Sequence, residues 1–296
     1  MILALALFAC STEAPTVVEN KEVVPAPAAK TELVIKGSDS EVNVVQKLAE
    51  EFMKVHPEVS VSVTGGGSGT GLAALIEGTC ALANSSRDLE AEEKVNALGK
   101  NVTPMGFVFA TDALAVVVNA KSAVTKTDVA TAGAIFRGET KSWKAIGGPD
   151  TPFSLYGRQS NSGTYTYFKK TVVSGEYSAD VKQMNGNAQI VEGVGQDEAG
   201  IGYVAAGYIQ GKDTVKALAL VVDGVEMSAS DEAAILSGKY PLARPLYQFM
   251  NGKPTGALKE FLTFEASDAG KAIIASEGFY PVFPDKAAAN QALLGG

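Results

Sequence analysis

A short polar turn at residues 158–164, Arg-Gln-Ser-Asn-Ser-Gly-Thr, constrains the fold more than any other stretch of the sequence. The apolar run at residues 153–156 predicts a strand before it, and the pattern at residues 165–173 predicts a helix after it. A helix N-terminus carries unpaired backbone N–H groups and a partial positive charge. Gly163 lets the backbone approach a ligand, and Arg158 can donate two parallel hydrogen bonds to an oxyanion. The turn therefore indicates either a site for a small tetrahedral anion or an ordinary Ser-capped helix with a surface arginine.

Two further polar loops also lie where a predicted strand gives way to a predicted helix. One follows the apolar run at residues 33–35 and precedes a helix predicted at about residues 42–55. The other follows the alternating strand at residues 59–63 within a glycine-rich stretch and precedes a helix predicted at about residues 72–77. The candidate ligand residues of the three loops are Ser38, Asp39 and Ser40, then Ser68, Gly69 and Thr70, and finally Ser162, Gly163 and Thr164. Ligands of an open α/β sheet bind outside the carboxyl ends of its strands, so we predict that the loops converge on one anion. Seen alone, the glycine-rich loop would also fit a flexible connection, since it matches neither the P-loop nor the dinucleotide-binding spacing.

Charged residues in these loops predict which anion is bound. Arg158 would supply positive charge, and Arg87, which follows the apolar residues 81–83 and the polar residues 84–86, would add a second positive charge. Asp39 should repel an anion unless the ligand carries a proton. Hydrogen phosphate can donate its O–H to a carboxylate, whereas sulfate has no such proton and would leave both charges unpaired. Asp39 therefore predicts selectivity for phosphate, with a solvent-facing helix cap as the alternative.

Length and composition restrict the class of protein. A chain of 296 residues suggests two domains, and its 46% hydrophobic residues predict a sizeable core. The formal net charge of −8 argues against nucleic acid or an anionic membrane surface as a partner. The single histidine, His56, argues against a histidine-based metal site or a Ser-His-Asp triad. We therefore expect a binding protein that is not an enzyme and that uses no cofactor or metal.

The N-terminal residues predict export and anchoring. Residues 1–9 are almost wholly apolar and lead to Cys10, so that residues 7–10 resemble the lipobox of a bacterial lipoprotein signal peptide. Phe8 is bulky for that pattern, a basic leader region is missing, and a buried N-terminal strand or helix is the alternative. We predict a signal peptide over residues 1–10, lipidation of Cys10, and a flexible tether over residues 11–30. The protein would then lie in the periplasm or on the outer face of the cytoplasmic membrane.

Two long extended stretches predict how the domains are connected. Residues 107–119 form an apolar run that is long for one strand and predicts a crossing between domains. Residues 240–250 predict a second crossing. The ordered body is expected to close at residues 278–282, with an Ala-rich tail after it.

Several segments, taken together in their order and spacing, resemble the phosphate-binding proteins of bacterial phosphate ABC transporters, which have the type II periplasmic binding protein fold. These segments are residues 36–40, 64–71, 84–87, 157–158 with 162–164, and 244–247 with 252–256. The resemblance implies an α/β fold of two lobes joined by a two-strand hinge, with the ligand in the cleft between them. The predicted bounds are residues 31–112 with 249–296 for the first lobe and 113–248 for the second.

The resemblance also implies roles for residues. Phosphate ligands would come from Arg158, Ser162, Gly163 and Thr164 in the second lobe, and from residues 38–40 and Ser68 in the first. Gly69, Thr70, Ser86 and Arg87 complete the predicted site. Some family members have an aspartate in the segment at residues 85–87 to accept the phosphate proton, whereas this chain has Arg87 there. We therefore assign the acceptor role to Asp39.

The function implied by the resemblance is capture without chemistry. A monomer would close on hydrogen phosphate and deliver it to a membrane permease. Three alternatives remain open: a binder of molybdate, tungstate or sulfate, a phosphatase using Ser68 or Ser162, and a phosphate sensor or surface adhesin. Asp39 argues against the first alternative, and the lone histidine with no G-x-S-x-G motif argues against the second.

Overall fold

The computed structural model describes residues 30–295. The predictions for the signal peptide, for Cys10 and for nearly all of the tether lie outside the described residues and stay predictions. Within residues 30–295, no helix is long and apolar enough to cross a membrane.

The first lobe is built from strands that alternate with helices. In chain order its elements are β1 (Thr31–Gly37), α1 (Val42–Val55), β2 (Val59–Thr64), α2 (Ser68–Ile76), β3 (Leu82–Ser85), α3 (Ala91–Gly99) and the start of β4 (Pro104–Asn119). β1 pairs in parallel with both β2 and β3. The apolar face of α1, with Val44, Leu48 and Phe52, is fully buried, which explains why the helical spacing there was readable from the sequence.

The second lobe repeats the pattern and the chain then returns to the first. The elements are β5 (Lys126–Thr127), α4 (Val129–Phe136), β6 (Ser154–Arg158), α5 (Gly163–Phe168), β7 (Lys182–Met184), α6 (Asn187–Gln196), β8 (Gly200–Ala205), β9 (Val215–Ala217), β10 (Ala219–Val222), β11 (Val225–Met227), α7 (Glu232–Leu236), β12 (Ala243–Asn251), α8 (Gly256–Ala266), α9 (Asp268–Ser276) and α10 (Pro284–Leu294). β6 is parallel to β7 and β8. A π-helical turn, Lys169–Val173, continues α5.

One strand belongs to the sheets of both lobes. The strand order is β2-β1-β3-β12-β4-β8-β6-β7, with β9 also on β4, while β11, β10 and β5 form a small separate sheet. The first part of β4 pairs with β12, and residues 114–118 pair with β8. β4 and β12 are antiparallel, with a register shift between Leu246 and Tyr247. The predicted α/β fold of two lobes with two connecting strands is therefore confirmed.

Each lobe has its own core. The first core includes Ile35, Leu48 and Phe261, and the second includes Val116 and Phe168. Leu246 packs in the first core although it falls within the range predicted for the second lobe. The predicted lobe bounds stay a prediction.

The prediction that the ordered body ends near residue 282 is wrong. Residues 284–294 form α10, because alanine is the strongest helix former and Pro284 is tolerated in the first helical turn. Asn290 on α10 donates to the Val108 carbonyl oxygen at 2.6 Å and accepts from the Val108 N–H at 3.0 Å. The helix thereby satisfies the backbone of β4 at a buried position.

Glu265 on α8 supports a prediction about pH. Its side chain is 1% exposed, and one carboxyl oxygen accepts a hydrogen bond from Gln248 Nε2 at 3.0 Å. The other oxygen, Oε2, has no hydrogen-bond partner among residues 30–295. Burial raises the pKa of Glu265 well above its usual range, so the folded protein keeps a proton that the unfolded chain releases above about pH 4.3.

We expect Glu265→Gln to be progressively more stable than the unchanged protein as the pH rises. Between the unfolded and folded pKa values, the glutamate loses about 1.4 kcal/mol of stability per pH unit, whereas glutamine loses none. Urea denaturation at about pH 5 and pH 8 measures the difference. Glu198→Gln, at an exposed ion pair with Lys121, is the control and should show no such trend. A stability difference for Glu265→Gln that does not change with pH would contradict the prediction.

Candidate functional site

The three predicted loops meet in one buried group of hydroxyls. Ser40 Oγ lies 2.9 Å from Thr164 Oγ1, and Ser86 Oγ lies 3.5 Å from the same atom. Ser68 Oγ lies 3.4 Å from Ser86 Oγ. None of the four residues is more than 1% exposed. We call Ser40, Ser68, Ser86 and Thr164 the hydroxyl cluster; it joins side chains of both lobes.

Local backbone geometry positions the cluster. Gly67 precedes α2 with a φ of +103°, a conformation that favours glycine, and α2 then begins at Ser68 itself. The prediction placed this helix start four residues later, at residue 72. Ser86 follows β3 and donates its backbone N–H to Ser68 Oγ at 3.1 Å. Two loops of the first lobe are therefore bonded to each other directly behind the cluster.

The N-terminus of α5 approaches the other lobe very closely. Ser162 caps this helix by accepting a hydrogen bond from the Tyr165 N–H at 3.3 Å. A Cβ atom on Gly163 would lie 2.2 Å from Ser68 Oγ and 2.7 Å from Ser86 Oγ. Gly163 thus comes very close to side chains of the first lobe, and its predicted approach to a ligand stays a prediction.

Arg158 ends β6 and is only 2% exposed. Its Nη2 donates to the Asn185 carbonyl oxygen at 2.9 Å, and Nη1 lies 3.4 Å from Asp39 Oδ2. Nε and Nη1 form no hydrogen bond with any of residues 30–295. Burial lowers the pKa of Arg158, although an arginine stays charged in proteins. A buried cation with two free donor atoms is suited to an anionic ligand.

Asp39 bonds to the second lobe, although its side chain stays 25% exposed. Its Oδ2 accepts hydrogen bonds from the backbone N–H and from Nδ2 of Asn187, both at 2.8 Å. The hydroxyl of Tyr208 donates to the Asp39 carbonyl oxygen. Asp39 does not cap the short helix that it begins, and its Oδ2 instead accepts the first N–H of α6, so these contacts argue against the alternative of a solvent-facing cap. Its role as a proton acceptor stays a prediction.

The remaining predicted residues lie around the cluster. Ser38 is 2% exposed and donates its backbone N–H to the Asn84 carbonyl oxygen. The Gly69 N–H donates to the carbonyl oxygen of Asn161 at 3.0 Å, and Asn161 Nδ2 donates to Thr70 Oγ1 at 3.2 Å. Since Asn161 belongs to the second lobe, these contacts hold the lobes together at the exposed rim of the cleft.

Arg87 is committed to another partner. Nη1 and Nη2 each donate to a carboxylate oxygen of Glu93 at 2.8 Å. Glu93 lies in the first turn of α3 and also accepts from the Glu90 N–H in a capping box. The guanidinium therefore forms a bidentate ion pair and no hydrogen bond to the hydroxyl cluster. Its predicted role as a ligand stays untested.

A second buried arginine was missed by the sequence analysis. Arg244 on β12 is 1% exposed and lies opposite Asp112 on β4. Its Nη2 donates to Asp112 Oδ2 at 2.7 Å and to Thr164 Oγ1 at 3.1 Å. The signal was available, since Asp112 is an ionisable residue within an otherwise apolar stretch. Buried charges are rarely left without a partner, so Asp112 indicates that a buried arginine or lysine lies opposite it.

The chemistry of this arrangement is that of binding a tetrahedral oxyanion. Hydroxyl groups, the backbone at an α5 N-terminus and a buried guanidinium all donate hydrogen bonds. The histidine of the chain, His56, lies at the end of α1 and is bonded to Glu58, so it offers no base to a serine of the cluster.

Comparisons with known proteins place the chain in a family. The family model described as the PBP superfamily domain matches residues 22–269. The phosphate-binding protein PstS of Bacillus subtilis is 32% identical over 251 residues, which cover 84% of this chain and 80% of that protein. PstS of Pseudomonas aeruginosa is 32% identical over 269 residues, which cover 83% and 81% of the two chains.

Solved structures agree with the sequence relatives. A phosphate ABC transporter substrate-binding protein with bound phosphate from Clostridium perfringens superposes with a TM-score of 0.77 at 28% identity, covering 85% of this chain and 100% of that one. An ABC-type phosphate transport receptor from Vibrio cholerae gives a TM-score of 0.68 at 28% identity, covering 84% and 100%. The chain belongs to the PBP superfamily and, within it, to the family of phosphate-binding proteins of bacterial phosphate ABC transporters.

Proposed function

We propose that the protein binds hydrogen phosphate in the cleft between its lobes and delivers it to the permease of an ABC transporter for phosphate uptake. The observation that carries this proposal is the buried hydroxyl cluster beside Arg158. Nε and Nη1 of Arg158 have no hydrogen-bond partner within residues 30–295. Relatives that share at least 30% of their sequence with most of this chain are phosphate-binding proteins.

We assign the ligand contacts by position in the cleft. Arg158, the hydroxyl cluster and the α5 N-terminus at Gly163 form the inner contacts. Further contacts come from Ser38, Asp39, Gly69, Thr70, Arg87 and Ser162, of which Arg87 requires a rearrangement from its pair with Glu93. Asp39 would accept the phosphate proton.

Capture follows from closure of the lobes. With the lobes apart, the serines of the first lobe and the arginine of the second would be hydrated. Closure on the anion excludes water, and charge-assisted hydrogen bonds are stronger in the resulting low dielectric. Bonds such as Asn161 Nδ2 to the Gly66 carbonyl oxygen at 2.8 Å then hold the cleft shut. The reaction is binding alone, and the ligand leaves unchanged.

The place of action follows from the family. A substrate-binding protein of an ABC importer works in the periplasm or outside the cytoplasmic membrane, and we propose a lipid anchor at Cys10 and a monomer. A chromogenic phosphate ester tests the enzymatic alternative; hydrolysis that depends on Ser68 or Ser162 would replace binding by phosphatase activity.

Isothermal titration tests the proposed function. The protein is freed of bound ligand by unfolding and refolding, then titrated with phosphate, sulfate and molybdate at one acidic and one alkaline pH. Tight one-to-one binding of phosphate with sulfate ignored is expected. Binding of none of these anions would overturn the proposal and favour a sensor or adhesin.

The role of Asp39 is tested by Asp39→Asn. An amide can donate to an oxyanion, so sulfate would no longer face an unpaired carboxylate, and the preference for phosphate over sulfate should fall by about tenfold or more. Asp88→Asn is the control, because Asp88 is an exposed neighbour of the same loops that bonds to the Leu89 N–H. Unchanged selectivity in Asp39→Asn would show that its carboxylate serves only to join the lobes through Asn187.

A further inference from the structure

The two strands that connect the lobes carry a buried ion pair directly behind the site. Arg244 on β12 and Asp112 on β4 are register partners, and their side chains are 1% and 0% exposed. Nε and Nη2 of Arg244 donate to the same oxygen, Asp112 Oδ2, at 2.9 and 2.7 Å. The connecting strands therefore fix the orientation of this guanidinium, and neither lobe does so alone.

The free side of the guanidinium reaches groups from both lobes. Nη2 lies 3.1 Å from Thr164 Oγ1 in the second lobe and 3.5 Å from Ser40 Oγ in the first. Nη1 donates to the Ser86 carbonyl oxygen at 3.3 Å. The ring of Tyr167 lies 5.2 Å from Arg244 Cζ and covers one face of the cation. Three of the four members of the hydroxyl cluster are thus in contact with Arg244.

The charges of the inner site balance formally. Arg158 and Arg244 contribute two positive charges, while Asp39 and Asp112 contribute two negative charges. Glu41 is fully buried beside this group, and burial raises its pKa well above its usual range, which disfavours a further negative charge there. Electrostatic interactions between charges are stronger in a buried site, because the effective dielectric constant is low there. Each member of the Asp112–Arg244 pair should therefore influence a bound anion, with opposite sign.

We propose that Arg244 is the second cation of the phosphate site and that it orients the hydroxyl of Thr164 toward the anion. Asp112 limits how strongly Arg244 attracts the anion. This inference rests on the proposed function. Because the pair lies on the strands that connect the lobes, the closed cleft gains its second cation only when Thr164 and Ser40 come together around Arg244. The pair thereby couples closure to anion binding.

The first test replaces the pair by neutral residues. Removing Arg244 alone would leave Asp112 as an unpaired buried carboxylate beside the anion, which is strongly destabilising. The double variant Arg244→Gln with Asp112→Asn keeps a side-chain hydrogen bond between the strands and removes both charges. We expect its affinity for inorganic phosphate, measured by titration, to fall by about tenfold or more, with a urea midpoint close to that of the unchanged protein. Affinity equal to that of the unchanged protein would overturn the inference.

The second test separates charge from structure. Asp112→Asn alone leaves Arg244 charged and without its counter-ion, so phosphate and sulfate should both bind more tightly and with a steeper dependence on salt. A purely structural role for the pair predicts weaker binding in both variants, and that result would also overturn the inference. The unchanged protein is titrated in the same series. Absence of phosphate binding by the unchanged protein would overturn the proposed function itself, whereas normal binding by the double variant would overturn only the role of Arg244.

Discussion

Replacing Arg158 by alanine should abolish tight phosphate binding while the fold persists. The side chain is 2% exposed, yet among residues 30–295 only Nη2 has a hydrogen-bond partner, the Asn185 carbonyl oxygen. Truncating one partner of a buried, hydrogen-bonded charge pair costs about 2–5 kcal/mol, which corresponds to a loss of affinity of roughly 30- to 4,000-fold. Titration with inorganic phosphate measures the loss, and urea denaturation shows whether the fold is retained.

Two further variants test whether the loss of affinity is specific to Arg158 and whether it depends on the shape of the guanidinium. Arg137→Ala is the matched control, because Arg137 bonds to Glu139 and to the Val173 carbonyl oxygen and makes no bond to the hydroxyl cluster. It should bind phosphate normally. Arg158→Lys keeps the charge but loses the fork of parallel donors, and should fall between alanine and the unchanged protein. Near-normal affinity in Arg158→Ala would remove Arg158 from the site.

The parts of the site that were predictable from the sequence are those set by local signals. A strand, a polar turn with glycine and a helical pattern follow one another within about ten residues at each of the three loops. The edge of the sheet at which such loops meet is dictated by parallel pairing. For this reason the convergence of Ser40, Ser68 and Thr164 could be predicted without any knowledge of the register.

The parts that were missed depend on contacts between distant residues. Arg244 reaches the cluster only because β12 pairs with β4 so that it faces Asp112, and register between strands 132 residues apart is not visible in either segment. Arg87 shows a different limit of the sequence, because its predicted role as a ligand competes with an ion pair that the sequence analysis did not consider. The partner is Glu93, which lies in the first turn of α3 and forms a bidentate pair with Arg87. A positive charge near a predicted site says little until its nearest carboxylate is known.

The start of α2 illustrates a smaller error with a physical cause. The glycine-rich stretch lowers helix propensity, so the predicted helix began at Leu72. In the structure, α2 begins at Ser68, because Gly67 adopts a positive φ and Gly71 packs against the backbone of Lys36 and Gly37 with no room for a side chain. The glycines allow α2 to pack closely against β1, and this tertiary packing overrides the low helix propensity of glycine.

Gly163→Ala should prevent the lobes from closing around phosphate. An alanine Cβ would lie 2.2 Å from Ser68 Oγ and 2.7 Å from Ser86 Oγ. Neither serine is more than 1% exposed, so they cannot easily turn away. Overpacking of this kind costs about 1–3 kcal/mol or more, and we expect phosphate affinity to fall by roughly 10- to 100-fold. The hydroxyl groups and both arginines remain in place, so the loss would come from geometry alone.

The same substitution should leave the unliganded protein at least as stable as before. Replacing glycine by alanine reduces the entropy of the unfolded chain and stabilises a protein by about 0.4–1 kcal/mol where the backbone conformation is compatible, and a lobe that does not close suffers no clash. Small-angle scattering with and without phosphate measures closure, and titration measures affinity. Gly99→Ala is the control, because a Cβ there meets no atom within 4 Å. The prediction is contradicted if the Gly163→Ala protein contracts on adding phosphate as the unchanged protein does and binds phosphate equally well. In that case α5 would stay clear of Ser68 when the lobes close, and phosphate could not be held at the hydroxyl cluster.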